Sequence, residues 1–227
     1  MSQRSAIVAA SPRISIQLLA VLAAVVLAAS NATPASAATR VNGTALSLLA
    51  GLRILPEHPG GYARELFVLW GDADGDGCNT RDEVLIAESR IRARVLPGCV
   101  VEGSWRSAYD GVITRDPSTL DVDHVVPLRE AWDSGAWTWT PARRQSYAND
   151  LGDWRSLRAV SASSNRSKGD RDPAEWLPPL ASARCTYATD WVVIKVRWRL
   201  GVDAREHAAL VRQLRTCPVH NLTVALP

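Results

Sequence analysis

The apolar positions along the chain fall into short periodic runs separated by polar turns. From Thr186 to Leu200, Trp191, Ile194, Lys195 and Trp198 recur at i, i+3, i+4 and i+7, the spacing of one helix face. Gly201 ends that run, and Asp203 is placed to cap a second helix reaching about Thr216. Residues 44–55 and 61–70 also read as helices, the latter with a mostly apolar face from Tyr62 to Trp70. An acidic loop over 72–79 leads into a helix from Thr80 to about Arg92. Glycine, β-branched and aromatic residues over 99–114, with a Tyr109-Asp110-Gly111 turn, predict a β-hairpin. Leu120–Val126 reads as a strand, 129–149 as a Trp-rich helical insertion and 157–160 as a short strand, with a helix or turn beginning near Ser163. The expectation is a single α+β unit.

The first forty residues stand apart. Arg4 and Arg13 precede the uncharged apolar run Ile14–Ala29, and Pro34 and Ala35-Ser36-Ala37 supply a small-x-small processing site. This is the layout of a secretory signal peptide over 1–37, and the run is shorter than the ~20 apolar residues of a membrane anchor. The mature domain, 38–227, is expected to be secreted and without stable membrane association. With 47% hydrophobic and 22% charged residues the chain is too apolar for disorder. The 26 basic against 23 acidic residues exclude a histone-like polycation but not a local basic patch. Removing Arg4 and Arg13 from the 26 leaves 24 against 23, a net charge near +1.

Export makes disulfides the default reading of Cys78, Cys99, Cys185 and Cys217, none of which lies in a C-x-x-C pair. An antiparallel helical hairpin over 186–217 brings Cys185 beside Cys217, which leaves Cys78 with Cys99. Each bridge is worth roughly 3 kcal/mol.

The densest polar constellation is Leu120-Asp121-Val-Asp123-His124-Val-Val-Pro127. Two carboxylates and an imidazole in an otherwise apolar strand are costly to bury unless paired or bound to metal. Taken alone, the segment fits equally a core pair in which Asp121 or Asp123 satisfies His124. Downstream come the strand Leu157–Val160 and then Asn165-Arg-Ser-Lys168-Gly-Asp170. A strand bearing Asp-His, a return strand, and a helix bearing Asn and Lys is the order of a ββα metal finger.

Here the chain resembles the HNH (His-Me finger) endonucleases. The Asp-Val-Asp-His-Val-Val-Pro run and Asn165-Arg-x-Lys168 are similar to the HNH domain of RNA-guided CRISPR nucleases. The likeness to secreted HNH endonucleases of actinobacterial type is broader. It takes in Ala131-Trp132, Ser134-Gly135-Ala136, Tyr147-Ala-Asn149-Asp150, Trp176-Leu-Pro-Pro, Thr80-Arg81 and all four cysteines, over roughly 60–220. The resemblance implies a ββα-metal finger, about 118–178, embedded in a helical, disulfide-stapled domain. It makes His124 the general base, Asp123 and Asn165 the metal ligands, and Asn149 a loop brace. DNA is the implied substrate. A neutral imidazole can take a proton from water, and oxygen ligands favour Mg²⁺ or Mn²⁺ over zinc. Asp121 shares a strand face with Asp123 and is a candidate support behind the ligands. Alternation sends Asp123 and His124 to opposite faces, so the reading needs the strand to end or bulge there. Lys168 and Arg166 are either phosphate contacts or solvated surface charges. Trp132, Trp137 and Trp139 fit core packing better than base stacking. Seven basic residues over 143–171 outnumber Asp150, Asp153, Asp170 and Asp172, an excess that suits a polyanion.

Asp72, Asp74, Asp76, Gly77, Thr80 and Glu83 match EF-hand loop positions 1, 3, 5, 6, 9 and 12, a candidate structural calcium site with helical flanks. Asn79 stands where a branched apolar residue is usual, and the alternative is an acidic capping loop stapled by Cys78. Two other functions compete with the DNA endonuclease: a calcium-stabilised, non-catalytic binding module, and a phosphodiesterase acting on RNA. The sequence does not set the oligomeric state.

Overall fold

The computed structural model describes residues 39–227, so the leader expected over 1–37 lies outside the described residues. The first strand, β1 (Arg40–Thr44), pairs antiparallel with the last, β8 (Asn221–Ala225), in a register from Arg40↔Ala225 to Thr44↔Asn221. Thr44 then caps α1 (Ala45–Ala50) by accepting from Ser47 N. The helix expected over 44–55 stops at Gly51. Residues 53–55 run extended instead, where Val202 N donates to Arg53 O and Leu55 N to Val202 O.

The helix expected over 61–70 is not formed. Only a 3₁₀ turn, Arg64–Leu66, appears there, and Trp70 adopts a left-handed conformation with φ 56°. Phe67 is buried and Tyr62, Leu66 and Leu69 pack against the core from an irregular segment held by distant side chains, while Val68 is exposed. The next helix is capped locally. Asn79 accepts from Arg81 N and Asp82 N and starts α2 (Thr80–Glu88), with Asp82 returning a bond to Asn79 N.

Two small hairpins follow: β2 (Arg94–Leu96) with β3 (Val100–Glu102), and β4 (Trp105–Arg106) with β5 (Ile113–Thr114). The strand expected over 120–126 is β6 (Leu120–His124). The Trp-rich insertion is two helices, α3 (Leu128–Asp133) and α4 (Pro141–Ala148), broken at Gly135, whose φ of 141° no L-residue adopts comfortably. β7 (Leu157–Ser161) then returns antiparallel to β6, pairing Asp123 with Arg158 and His124 with Leu157, and passes directly into α5 (Ala162–Lys168). Strand, strand and helix thus follow in the expected order.

The C-terminal hairpin is α6 (Arg184–Trp198) and α7 (Ala204–Leu214), the latter started by an Asp203–Glu206 capping box. Disulfides join Cys78 to Cys99 and Cys185 to Cys217. The larger core gathers round α6, where Trp191, Val192, Val193, Ile194 and Trp198 meet Val125, Val126 and Tyr147. A smaller core packs Val84 and Leu85 of α2 on Leu120, Val122 and Ala159. The result is a mixed α/β fold with small two-stranded sheets. No helix among the described residues is long and apolar enough to cross a membrane.

Candidate active site around His124

His124 is the last residue of β6 and is buried. Its Nε2 lies 2.9 Å from the carbonyl oxygen of Ala148 at the end of α4. A carbonyl only accepts, so Nε2 carries the hydrogen and Nδ1 of the neutral ring is an unprotonated acceptor. Burial lowers the imidazole pKa from its ordinary 6.5 to about 4, so the ring is neutral at neutral pH. Two aromatic rings lie nearly parallel to the imidazole, the indole of Trp70 (centroids 5.9 Å, 23° between planes) and the phenol of Tyr147 (6.1 Å, 20°). Tyr147 is anchored by its hydroxyl, which donates to Val126 O.

Asp123 goes to different neighbours. Its Oδ2 accepts from the Tyr109 hydroxyl at 2.6 Å, and Lys168 Nζ stands 2.8 Å from Oδ2 and 3.0 Å from Oδ1. The same ammonium donates to the backbone oxygen of His124 at 2.9 Å. Lys168 has no solvent exposure, which corrects both sequence readings of it: it is neither a surface charge nor positioned to touch phosphate. It sits in the last turn of α5, and its length lets it reach back to β6.

One turn earlier on α5, Asn165 Nδ2 donates to Asp121 Oδ2 at 2.9 Å. That bond fixes the amide orientation and leaves Asn165 Oδ1 as an acceptor on a half-buried edge. The residues expected as ligands, Asp123 and Asn165, offer oxygen, as does Asp121 behind Asn165, and such donors suit a hard divalent cation better than zinc. At Asp123 the ammonium of Lys168 already faces both carboxylate oxygens.

Asn149 uses its whole side chain. Oδ1 accepts from Gly71 N (2.9 Å) and lies 3.0 Å from the Thr80 hydroxyl, while Nδ2 donates to Val68 O (2.7 Å) and Gln145 O (2.9 Å). It ties the end of α4 to the segment before α2. Tyr147, Ala148 and Asn149 thus act in succession on His124: a ring wall, a carbonyl partner and a brace. Sequence reading missed Trp70, Ala148, Tyr109 and Asp110. Asp110 holds the first turn of α5 through Ser161 and Ser164. The Tyr109-Asp110-Gly111 signal was visible, but only as a turn.

A family model described as GmrSD restriction endonucleases, C-terminal domain, matches residues 87–213, more than half of the chain. The chain belongs to this family. An uncharacterized secreted protein of Arthroderma benhamiae is 44% identical over 205 residues, covering 88% of this chain and 98% of that protein. No solved structure matches the chain. The GmrSD C-terminal match spans β6, β7, α5 and α6 with every candidate residue around His124, and leaves the acidic loop and Trp70 outside it.

In that loop the carboxylates of Asp72, Asp74 and Asp76 converge, each pair of ligand oxygens within 4.8 Å. Gly75 N and Gly77 N donate to Asp72, and Cys78 N to Asp76. A Glu83 oxygen lies within 4.8 Å of an Asp76 oxygen, and burial, then Asp76, Asp74 and Asp72, push the Glu83 carboxyl above its ordinary pKa. Only α2 flanks the loop as a helix. The entering helix is missing because 67–71 is irregular.

The basic excess over 143–171 is largely internal. Arg144 is buried and donates to Leu66 O, Arg155 pairs with Asp153, and Arg158 with Glu88 and Asp190. Trp132 is buried, Trp139 packs on Tyr147 and Trp198, and the exposed Trp137 stacks on His58.

Proposed function

We propose that this member of the GmrSD C-terminal family is a metal-dependent HNH endonuclease that hydrolyses DNA phosphodiester bonds. It is an extracellular protein, with two disulfides and a relative described as secreted. The observation that carries the enzymatic reading is His124: a buried, neutral imidazole whose Nε2–H is bound to Ala148 O, so that Nδ1 is the proton acceptor.

In this reading a water gives its proton to His124 Nδ1 as its oxygen bonds to phosphorus, and the bond from phosphorus to the leaving oxygen breaks. The Ala148 carbonyl stabilises the imidazolium that forms, and the negative phosphate beside it raises the proton affinity of the ring. Asn165 Oδ1 is aimed by Asp121, and the Asp123 carboxylate is held in place by Lys168 and the Tyr109 hydroxyl. A divalent cation, Mg²⁺ or Mn²⁺, held by Asn165 and by an Asp123 oxygen released from Lys168 would neutralise charge on the phosphate and leaving oxygen. The acidic loop belongs to the same proposal as a structural Ca²⁺ site of Asp72, Asp74, Asp76 and Glu83.

The test incubates the oxidised, secreted protein with plasmid DNA under Mg²⁺, Mn²⁺ or EDTA, beside His124→Ala. The expected result is nicking that needs metal and is lost in the variant. Activity on RNA alone would move the substrate. No cleavage of either by folded protein would favour a calcium-stabilised binding module.

A further inference from the structure

Trp70 combines two features that rarely meet: a left-handed backbone (φ 56°) on a bulky residue, and a ring stacked on the candidate general base. Left-handed conformations place Cβ against the following carbonyl, so an L-residue other than glycine, asparagine or aspartate stays there only when its surroundings over-determine it. They do so here. Asn149 binds the backbone two residues before Trp70, at Val68 O (2.7 Å), and one residue after it, at Gly71 N (2.9 Å). Gly71 O in turn accepts from Thr80 N at 2.9 Å and lies 2.9 Å from the Thr80 hydroxyl. Glycine at position 70 would relax the backbone but leave one face of the imidazole without a wall.

The same corner of α4 fixes the ring and its wall. Ala148 O takes the Nε2 hydrogen of His124, and the next residue, Asn149, holds the strained segment that lays the indole over that ring. The Tyr147 ring also lies nearly parallel to the imidazole. Rotation of the imidazole about χ2, which would exchange the places of Nδ1 and Cδ2, would break the Nε2–Ala148 bond and disturb both aromatic contacts.

We propose that Trp70 is a positioning residue for His124, held in a strained backbone by Asn149 so that its indole locks the imidazole with Nδ1 towards the substrate. This rests on the endonuclease reading for its catalytic consequence, and on geometry alone for the lock. Strain held next to a reacting group is expected where orientation matters more than local stability.

The experiment compares Trp70→Gly, Trp70→Ala and Trp70→Phe in the full, disulfide-bonded protein. Steady-state cleavage of a fluorescent duplex is measured, and the His124 ring resonances are recorded by NMR without added nucleic acid. Trp70→Gly and Trp70→Ala should lower kcat about 10- to 100-fold with KM within about twofold, and Trp70→Phe should restore most of it. The ring-current shift of the His124 protons should be lost in Trp70→Gly and largely kept in Trp70→Phe. Folding is checked by the melting transition, and Trp70→Gly, which relaxes the backbone, guards against an unfolded Trp70→Ala. Unchanged kcat in a folded Trp70→Gly would overturn the proposal, as would a rise in KM alone, which marks a substrate contact instead. If the wild-type protein cuts no nucleic acid, the endonuclease reading fails, and the ring resonances still decide whether Trp70 orders His124.

Discussion

Lys168 and Asp123 form a buried ion pair, with the ammonium 2.8 Å from Oδ2 and 3.0 Å from Oδ1 and no solvent reaching it. The chain has only two lysines, Lys168 and Lys195, and both are wholly buried against carboxylates. Lys195 meets Glu130 at 2.6 Å and Glu206 at 3.0 Å. A compact ammonium with three donors can bridge carboxylates and a backbone oxygen at once, which the planar guanidinium fork of arginine does poorly.

Removing one partner of such a pair strands the other charge. Lys168→Met should therefore cost about 3–5 kcal/mol in urea unfolding, while Asp123→Asn with Lys168→Met should cost less than the two single changes added. A loss below about 1 kcal/mol for Lys168→Met would show that the pair is not closed in solution.

Asn149→Ala removes the acceptor of Gly71 N and the donor to Val68 O together. The expected loss is about 1–2 kcal/mol, since the partly buried Gly71 N loses its acceptor while Val68 O is open to water. Amide hydrogen exchange at Gly71 should accelerate before exchange in α6. Equal acceleration throughout would mean that the whole fold, not this segment, depends on Asn149.

Asp190 gives a signed pH dependence. Burial raises its pKa from 3.8 to about 7, against the opposing pull of Arg158 and Arg155. Between about pH 4 and 7 the folded state holds a proton that the unfolded chain has released. Stability contributed by this group is thus full below pH 4 and falls as pH rises to 7, by up to about 1.4 kcal/mol per pH unit. Urea midpoints of Asp190→Asn should lose that slope. An unchanged slope would place the titration elsewhere.

For the acidic loop, 1 mM Ca²⁺ is expected to raise the melting temperature of the wild-type protein by several degrees, as binding to the folded state alone requires at ~100 times Kd. Asp72→Asn with Asp76→Asn should abolish the shift. An equal shift in both proteins would assign the effect to general ionic screening.

The sequence by itself determined what is local. The α6–α7 hairpin, its Asp203 cap and the resulting Cys185–Cys217 pairing follow from periodicity and capping within about thirty residues, and β6, β7 and α5 were legible in order. What lies between distant segments was not. The apolar face of 61–70 suggested a helix because periodicity cannot register that Asn149 binds Val68 and Gly71. The pairing of β1 with β8 joins opposite ends of the described chain, and short strands of mixed pattern carry no sign of their partner. Lys168 has the same composition signal whether solvated or buried. Only the packing of α5 on β6 turns it inward to Asp123, because a long side chain goes where its charge is best compensated. The sequence singled out His124, Asp123 and Asn165, and the tertiary structure chose their partners, because contacts such as Trp70 and Ala148 on His124 join segments far apart in the chain.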